Sequence, residues 1–141
     1  MLTRFMTRKE CYEKISYILI HNSKKGWNGY NAEPVNKKSA INTMIFLSEL
    51  PKDIESPFPI LIPTNENIHL TWQTSPAYWT KHKLWMFISA PISANQQTIT
   101  IEGTAFGEHK KLIGTSHDFS NGIPKKVIDL LQEITDINSK Y

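Results

Sequence analysis

The residues able to do chemistry in this chain are a few histidines, acidic residues and one cysteine. Glu108, His109, His117 and Asp118 lie on or beyond one predicted hairpin and could converge. Imidazole and carboxylate groups are common zinc ligands, but zinc sites usually place two ligands on a short spacing such as H-x-x-x-H or H-E-x-x-H. Neither spacing occurs here. We therefore expect no metal and no cofactor.

Nucleophilic catalysis has little support in the sequence. The single cysteine, Cys11, falls on the apolar side of a predicted helix, where a thiol behaves as a small hydrophobe. No G-x-S-x-G, P-loop or dinucleotide-binding motif is present. The sequence favours a protein that is not an enzyme, and a site assembled from distant residues such as His69, His109 or His117 stays open.

Length and composition predict one globular domain over residues 1–141. The chain is 40% hydrophobic and 21% charged, which is ordinary for a folded domain. One cysteine excludes an internal disulfide, and no apolar run is long enough for a signal peptide or a membrane span. We expect a cytoplasmic protein. The net charge of +3, spread over scattered lysine pairs, is weak support for a nucleic-acid partner.

Three helices are predicted. Thr7 to Glu10 has the capping-box pattern and begins a helix that runs to about Asn22. A second helix starts after Asn36, with Val35 and Ala40 as a hydrophobic staple, and continues to Pro51. It is apolar around much of its circumference, which predicts packing on more than one side. A third helix runs from Pro124 to about Ile137.

Between the helices the sequence predicts strands. The predicted strands are 58–63, 67–74, 83–90, 97–106 and 110–115, with a tight reversal at Gly107 and Glu108 before the last. Apolar residues alternate, as in Ile68, Leu70 and Trp72. The connections are too short for crossover helices, so we expect an α+β fold: an antiparallel meander sheet of four to five strands, with two N-terminal helices and one C-terminal helix packed on one face.

The corner between the first two helices combines aromatic and turn-forming residues. Asn28 and Gly29 tolerate the positive φ of a reversal, and Pro34 keeps the chain extended before the helix. Trp27 and Tyr30 could bury their rings against the sheet. We interpret the corner as a structural staple, with a ligand site as the alternative.

The motif "GWNGYNAEPV", followed after a helix by a strand ending in Trp72, resembles a pattern of small uncharacterised bacterial proteins. Their pattern reads roughly Gly-Trp-Asp-Gly-Tyr-Gly-Ala-x-Pro, a helix ending in Leu-Pro, and a strand of the type Leu-Glu-Trp. The matching residues are Gly26, Trp27, Gly29, Tyr30, Ala32, Pro34, Leu50, Pro51 and Trp72. Asn28 stands where an acidic residue is usual. The resemblance implies the fold and an association with mobile elements, but no established activity.

The segment from Ser75 to Lys83 reads as a lengthened hairpin and as the candidate contact surface. Exposed aromatic rings beside cations are typical of protein hot spots and of surfaces that stack single-stranded nucleic acid. The alternative is that the rings cover the second face of the sheet. The predicted partner-binding residues are Tyr78, Trp79, Lys81, His82, Lys83 and Trp85.

Together these features predict a small non-enzymatic protein that binds another protein. An antitoxin, immunity or anti-defence factor of a mobile element fits this description. A nucleic-acid-binding module is the alternative, and a metal-dependent or hydrolytic enzyme is the third interpretation. We expect no membrane association, and the oligomeric state, including a homodimer, stays open.

Overall fold

The computed structural model describes residues 7–22, 24–27, 29, 33–54, 58–61, 67–82, 87–92, 96–104 and 107–140. In chain order the elements are α1 (Arg8–His21), α2 (Lys37–Glu49), β1 (Phe58–Leu61), β2 (Ile68–Gln73), α3 (Pro76–His82), β3 (Phe87–Pro91), β4 (Thr98–Thr104), a 3-10 helix (Gly107–Leu112), β5 (Thr115–Asp118) and α4 (Lys125–Lys140). No described helix has the length and apolarity of a bilayer span.

The strands form one sheet in the order β1-β2-β3-β4-β5, and every neighbouring pair is antiparallel. The predicted α+β class and antiparallel meander are therefore confirmed. Alternation places Ile68, Leu70 and Trp72 of β2 in the core. Across the sheet Trp72 lies opposite Ile88 of β3, and Ile88 lies opposite Gly103 of β4.

Helices α1 and α2 begin where the sequence predicts. Thr7 and Glu10 form the capping box of α1, and the Asn36 side chain accepts a hydrogen bond from the Lys38 N–H at 2.8 Å. Two contacts, one at each end, show that the two helices are antiparallel. The Arg8 guanidinium at the start of α1 donates to the carbonyl of Pro51, which follows α2. At the other end, the Val35 N–H before α2 donates to the Asn22 carbonyl at 2.9 Å.

Two predicted β segments are wrong. The segment from Ser75 to Lys83 is not a hairpin, because residues 76–82 form α3. Ser75 accepts hydrogen bonds from the Tyr78 N–H through its carbonyl and its hydroxyl, at 3.1 and 3.4 Å. Pro76 then occupies the first helical position, where its missing N–H costs nothing. Serine followed by proline is thus a helix start here.

The tight reversal at Gly107 and Glu108 and the strand at 110–115 are also wrong. Residues 107–112 form the 3-10 helix, and β5 begins only at Thr115. The change of direction falls at Gly114, whose φ is +77° and whose N–H donates to the Ile101 carbonyl at 2.6 Å. Gly107 also has a positive φ, +65°, but it begins the 3-10 helix, whereas the hydrogen bond from Gly114 to β4 places the turn directly before β5.

The core lies where helices meet the sheet. Helix α1 packs on α2 and β1, α2 packs on β2, and α4 packs on β2 and the 3-10 helix. The ring of Phe46 from α2 meets the rings of Trp72 and Phe119 edge to face, with centroids 6.2 and 5.3 Å apart. Such aromatic contacts add to the stability gained from buried area.

A serine of α2 enters the hydrogen bonding between β2 and β3. Ile68 and Ile92 are opposite each other, and the Ile92 N–H donates to the Ile68 carbonyl at 3.3 Å. The reciprocal link passes through Ser39: its hydroxyl accepts from the Ile68 N–H and donates to the Ile92 carbonyl, both at 3.1 Å. This hydroxyl relay satisfies two buried backbone groups and ties α2 to the sheet.

Candidate interaction surface

Large apolar side chains are exposed at one end of the α1–α2 pair. Tyr17 is 53% exposed, Ile20 is 72% exposed and Ile41 is 54% exposed. Tyr17 and Ile20 belong to the last two turns of α1, while Ile41 belongs to the first turns of α2. Because the helices are antiparallel and joined there by Val35 and Asn22, the three residues share one end of the molecule.

The exposure of Ile41 bears on the prediction that α2 packs on more than one side. The buried side of α2 carries Ser39, Ala40, Thr43, Phe46 and Leu47. Ile41 lies off this buried side, and about half of its surface faces solvent. Exposing apolar surface to water costs free energy, and clusters of such residues are uncommon on natural protein surfaces. The apolar circumference of α2 is thus covered on one side and left open on another.

Trp27 lies in the corner between these helices and is half-buried. Its indole N–H donates to the Glu33 carbonyl at 2.8 Å, which is a hydrogen bond within the corner between residues six positions apart. The Gly29 N–H also donates to the Gly26 carbonyl at 2.9 Å, and both glycines have positive φ, +83° and +78°. The indole is therefore hydrogen-bonded within the corner, and burial of the Trp27 ring against the sheet stays a prediction.

The other residues of the predicted motif divide into described and undescribed ones. Trp72 is 1% exposed and belongs to the core, and Pro34 is partly buried before α2. Asn28 and Tyr30 lie outside the described residues. We name the exposed or half-exposed set Tyr17, Ile20, Trp27 and Ile41 the corner surface.

The predicted partner-binding residues occupy a different place. Tyr78 in α3 is 8% exposed, so its ring is part of the interior and not of a contact surface. The prediction of Tyr78 as a surface residue is therefore corrected. Helix α3 turns its side chain inward. Helix α3 also contains Trp79, Lys81 and His82, but the structure does not describe their side chains. Lys83 and Trp85 lie outside the described residues altogether. For those five residues partner binding stays a prediction.

The histidines and acids near the 3-10 helix bond to separate partners. The His109 Nε2 contacts a carboxylate oxygen of Glu133 in α4. Asp118 accepts from the Ser120 N–H at 2.7 Å, and this hydrogen bond, with a further one to the Ser120 side chain, holds the pKa of Asp118 below its usual value. Among the described residues no group of three or more His, Cys, Asp or Glu side chains could hold a metal ion.

His117 has a tautomer set by its neighbour. The Thr115 hydroxyl gives its only proton to the Leu112 carbonyl, so its oxygen accepts from the His117 Nε2, 2.7 Å away. Burial, followed by the nearby charge of Lys126, lowers the pKa of His117. A neutral ring with a protonated Nε2 results, and it orders the turn before β5.

His69 lies on the sheet face opposite Trp72. Its Nδ1 is 3.2 Å from the Ser89 hydroxyl, and its Nε2 is buried without a hydrogen-bond partner. Burial lowers the pKa of His69, and the charge of Glu102 offsets part of this. A serine beside a histidine suggests nucleophilic chemistry, but a triad also needs an acid on the second ring nitrogen, and Nε2 has none.

Cys11 is fully buried, and burial, with a smaller effect of Glu10, raises the pKa of its thiol to about 12. A thiol that stays protonated at neutral pH is a poor nucleophile. The interpretation of Cys11 as a core residue is confirmed.

Sequence reasoning missed the corner surface. Ile20 and Ile41 each fall off the apolar stripe of their helix, by about 100° or more from the nearest buried position at 3.6 residues per turn. That displacement is a readable signal, but it becomes meaningful only when the antiparallel pairing of α1 and α2 brings the two isoleucines to one end. Comparison with protein families, with curated proteins and with solved structures finds no match for this chain.

Proposed function

We propose that this protein acts by binding another protein stoichiometrically, without catalysis, and that the corner surface is its contact site. The exposure of Tyr17, Ile20 and Ile41, which all lie at one end of the antiparallel helix pair, carries the proposal. Scattered exposed hydrophobic residues are ordinary, whereas exposed apolar residues grouped around an aromatic ring are typical of interaction sites.

The chemistry of the titratable groups supports a binding role over an enzymatic one. The side chains of His109, His117 and His69 contact Glu133, Thr115 and Ser89, respectively. The His21 ring lies against Tyr17, and the only cysteine is buried. None of these pairs brings a nucleophile, a base and an orienting acid together. A cytoplasmic antitoxin, immunity or anti-defence factor of a mobile element remains our suggestion for the biological role, and it rests on the sequence resemblance.

We also propose that α1, α2 and α4 share one face of the sheet. Contacts of α1 with β1, and of α2 and α4 with β2, support this arrangement. It would leave the outer sides of α1 and α2, and with them the corner surface, directed toward solvent.

The test is capture of partners with purified protein and double substitution of the two isoleucines. Ile20→Ser with Ile41→Ser should abolish enrichment of the specific partner from the native host, read by mass spectrometry, because two exposed apolar anchors are lost. The matched control replaces the exposed pair Lys110 and Lys111 with serine, which should leave capture unchanged. Equal capture by both double variants would refute the corner surface as the contact site.

A nucleic-acid-binding module is the second candidate, and exposed lysines beside the corner surface favour it. Phosphate binding weakens steeply as salt rises. A mobility-shift assay at two salt concentrations therefore separates the two functions: a salt-sensitive complex with single-stranded DNA that also needs Lys37 and Lys38 would support the second candidate.

A further inference from the structure

We infer that the partner presents an acidic, amphipathic protein segment to the corner surface. This inference rests on the proposed function and adds the chemistry of the partner. The charge near the exposed apolar residues and the hydrogen bonds within the corner support it.

Charge is unevenly distributed along the α1–α2 pair. At the corner end, the exposed lysines are Lys14, Lys24, Lys25, Lys37 and Lys38. The described acids at this end are Glu13 and Glu33, and Glu33 is already 3.7 Å from the Lys25 ammonium. At the opposite end Arg8, Lys9 and Lys52 are balanced by Glu10, Glu49 and Asp53. The excess of positive charge therefore lies at the same end of the helix pair as the exposed apolar residues.

Lys14 already shows how cations and rings combine here. Its ammonium lies 5.2 Å from the centroid of the Tyr17 ring, whose other neighbour is the His21 ring at 4.1 Å. The Tyr17 ring is thus flanked by positive or polarisable groups while half its surface faces solvent. A carboxylate of a partner would meet Lys14 at the edge of the apolar area.

The composition favours an acidic protein over other occupants. Interfaces commonly have an apolar centre and a polar rim, and here Ile20 and Ile41 form the centre and the lysines form the rim. A second copy of this chain would bring lysines against lysines, and like charges in contact oppose association. Nucleic acid would satisfy the lysines, but its phosphates would leave two exposed isoleucines without an apolar partner.

The corner is also prepared for binding. Trp27 is fixed by its own hydrogen bond to Glu33, and the two ends of the corner are joined by Val35 and Asn22. A ring that is already ordered loses little conformational freedom when a partner covers it. The indole N–H is satisfied within the corner, so a partner contacts the ring surface and the neighbouring cations.

The experiment uses defined probes and the full chain. One helical peptide of about 20 residues, long enough to form a helix, has a leucine stripe and glutamates elsewhere. A second has the same leucines with lysines, and the third probe is oligothymidylate. Binding is followed by the Trp27 indole N–H signal in nitrogen-15 NMR spectra, assigned with Trp27→Phe. We expect the acidic peptide to shift this signal and the basic peptide to leave it unmoved.

A matched charge reversal tests the role of the rim. Lys37→Glu with Lys38→Glu should weaken binding of the acidic peptide roughly fivefold or more, because two exposed ion pairs are replaced by repulsion between like charges. Lys110→Glu with Lys111→Glu, which reverses an exposed pair on the 3-10 helix, should have little effect. Raising ionic strength from ~0.01 to ~0.15 M, which shortens the Debye length to about 8 Å, should weaken binding as well.

The remaining outcomes decide against the inference. Equal affinity for the acidic and basic peptides, no binding of either, or binding of oligothymidylate alone overturns it. If Ile20→Ser with Ile41→Ser abolishes capture of the native partner while charge reversal at Lys37 and Lys38 does not, the proposed function stands and the acidic partner is refuted. Unchanged melting temperatures show that each variant is folded.

Discussion

At the scale of single residues, the polar atoms inside this fold are satisfied by a few side chains with specific geometry. Ser39 is the clearest case, because its hydroxyl serves one donor and one acceptor of the sheet at once. A serine in an apolar helix face gives no such indication in the sequence, since serine is equally common on solvent-exposed faces. Only the position of α2 above β2 and β3 gives Ser39 its role.

Ser39→Ala should lower the free energy of unfolding by about 1 to 3 kcal/mol, because it leaves the Ile68 N–H and the Ile92 carbonyl buried without their partner. The control is Ser48→Ala on the same helix, whose exposed hydroxyl bonds only to the Ile45 carbonyl. Urea unfolding of both variants measures the difference. A loss no larger for Ser39→Ala than for Ser48→Ala would contradict the relay.

His69 should make stability depend on pH. Its folded pKa lies below the usual 6.5, so the unfolded chain takes up a proton first as the pH falls. The free energy of unfolding should therefore be fully present above about pH 6.5 and decline below it. Urea midpoints at about pH 7.5 and 5.5 should fall less for His69→Gln than for the parent chain. The exposed His21→Gln is the control, and identical pH dependence in all three would refute the assignment.

Trp27 and Trp72, the tryptophans whose side chains the structure describes, show what a sequence can and cannot predict about burial. Alternation along β2 correctly predicts that Trp72 is buried. The corner motif suggests a similar burial for Trp27, but a loop can satisfy an indole through its own backbone, here through Glu33, and no periodicity indicates this.

Trp72→Ala should therefore cost about 3 to 5 kcal/mol of unfolding free energy, as truncation of a buried tryptophan does. Trp27→Ala should cost only about 1 to 2 kcal/mol, from one hydrogen bond and partial burial. Thermal or urea unfolding of both variants gives the comparison. An equal loss for the two would mean that Trp27 contributes to the core as strongly as Trp72 does.

At the scale of elements, capping residues and periodicity predict most boundaries. The starts of α1 and α2 follow from Thr7, Glu10 and Asn36, whose side chains satisfy amides within one turn. Helix α3 and the 3-10 helix were not predicted, because both are short. The seven residues from Pro76 to His82 give too few apolar repeats to distinguish helix from hairpin, and Gly107 suits a reversal as well as a helix start.

The end of α4 is tied to the sheet by one amide. The Asn138 side chain accepts from the Ser75 N–H at 2.7 Å and donates to the Gln73 carbonyl at 3.1 Å. Asn138→Ala should release the last turn of α4 and the start of α3 together, because these backbone groups lose their partners. Hydrogen exchange should quicken at residues 75–78 and 134–140. Ser139→Ala, one residue on and exposed, should change little, and unchanged protection in Asn138→Ala would contradict the clamp.

At the scale of the whole molecule, period-two patterning in the middle of the chain and helical patterning at its ends predict the α+β class and the meander. The proposed contact site is harder to predict, because it would consist of apolar residues that lie outside the core. Ile20 and Ile41 are far apart in sequence and come to the same end of the helix pair only through the antiparallel arrangement of α1 and α2. Patterns that locate a core say little about which remaining apolar residues are gathered outside it.

The hydroxyl relay of Ser39 has a consequence for how the chain acquires its structure. It joins positions 29 and 53 residues apart, and the pairing of Ile68 with Ile92 is complete only with α2 in place. The hydrogen bonding between β2 and β3, which α3 connects, is therefore not complete until α2 docks. Docking of α2 and pairing of β2 with β3 should occur in one kinetic step. Refolding of Ser39→Ala should therefore be slower than refolding of the parent chain.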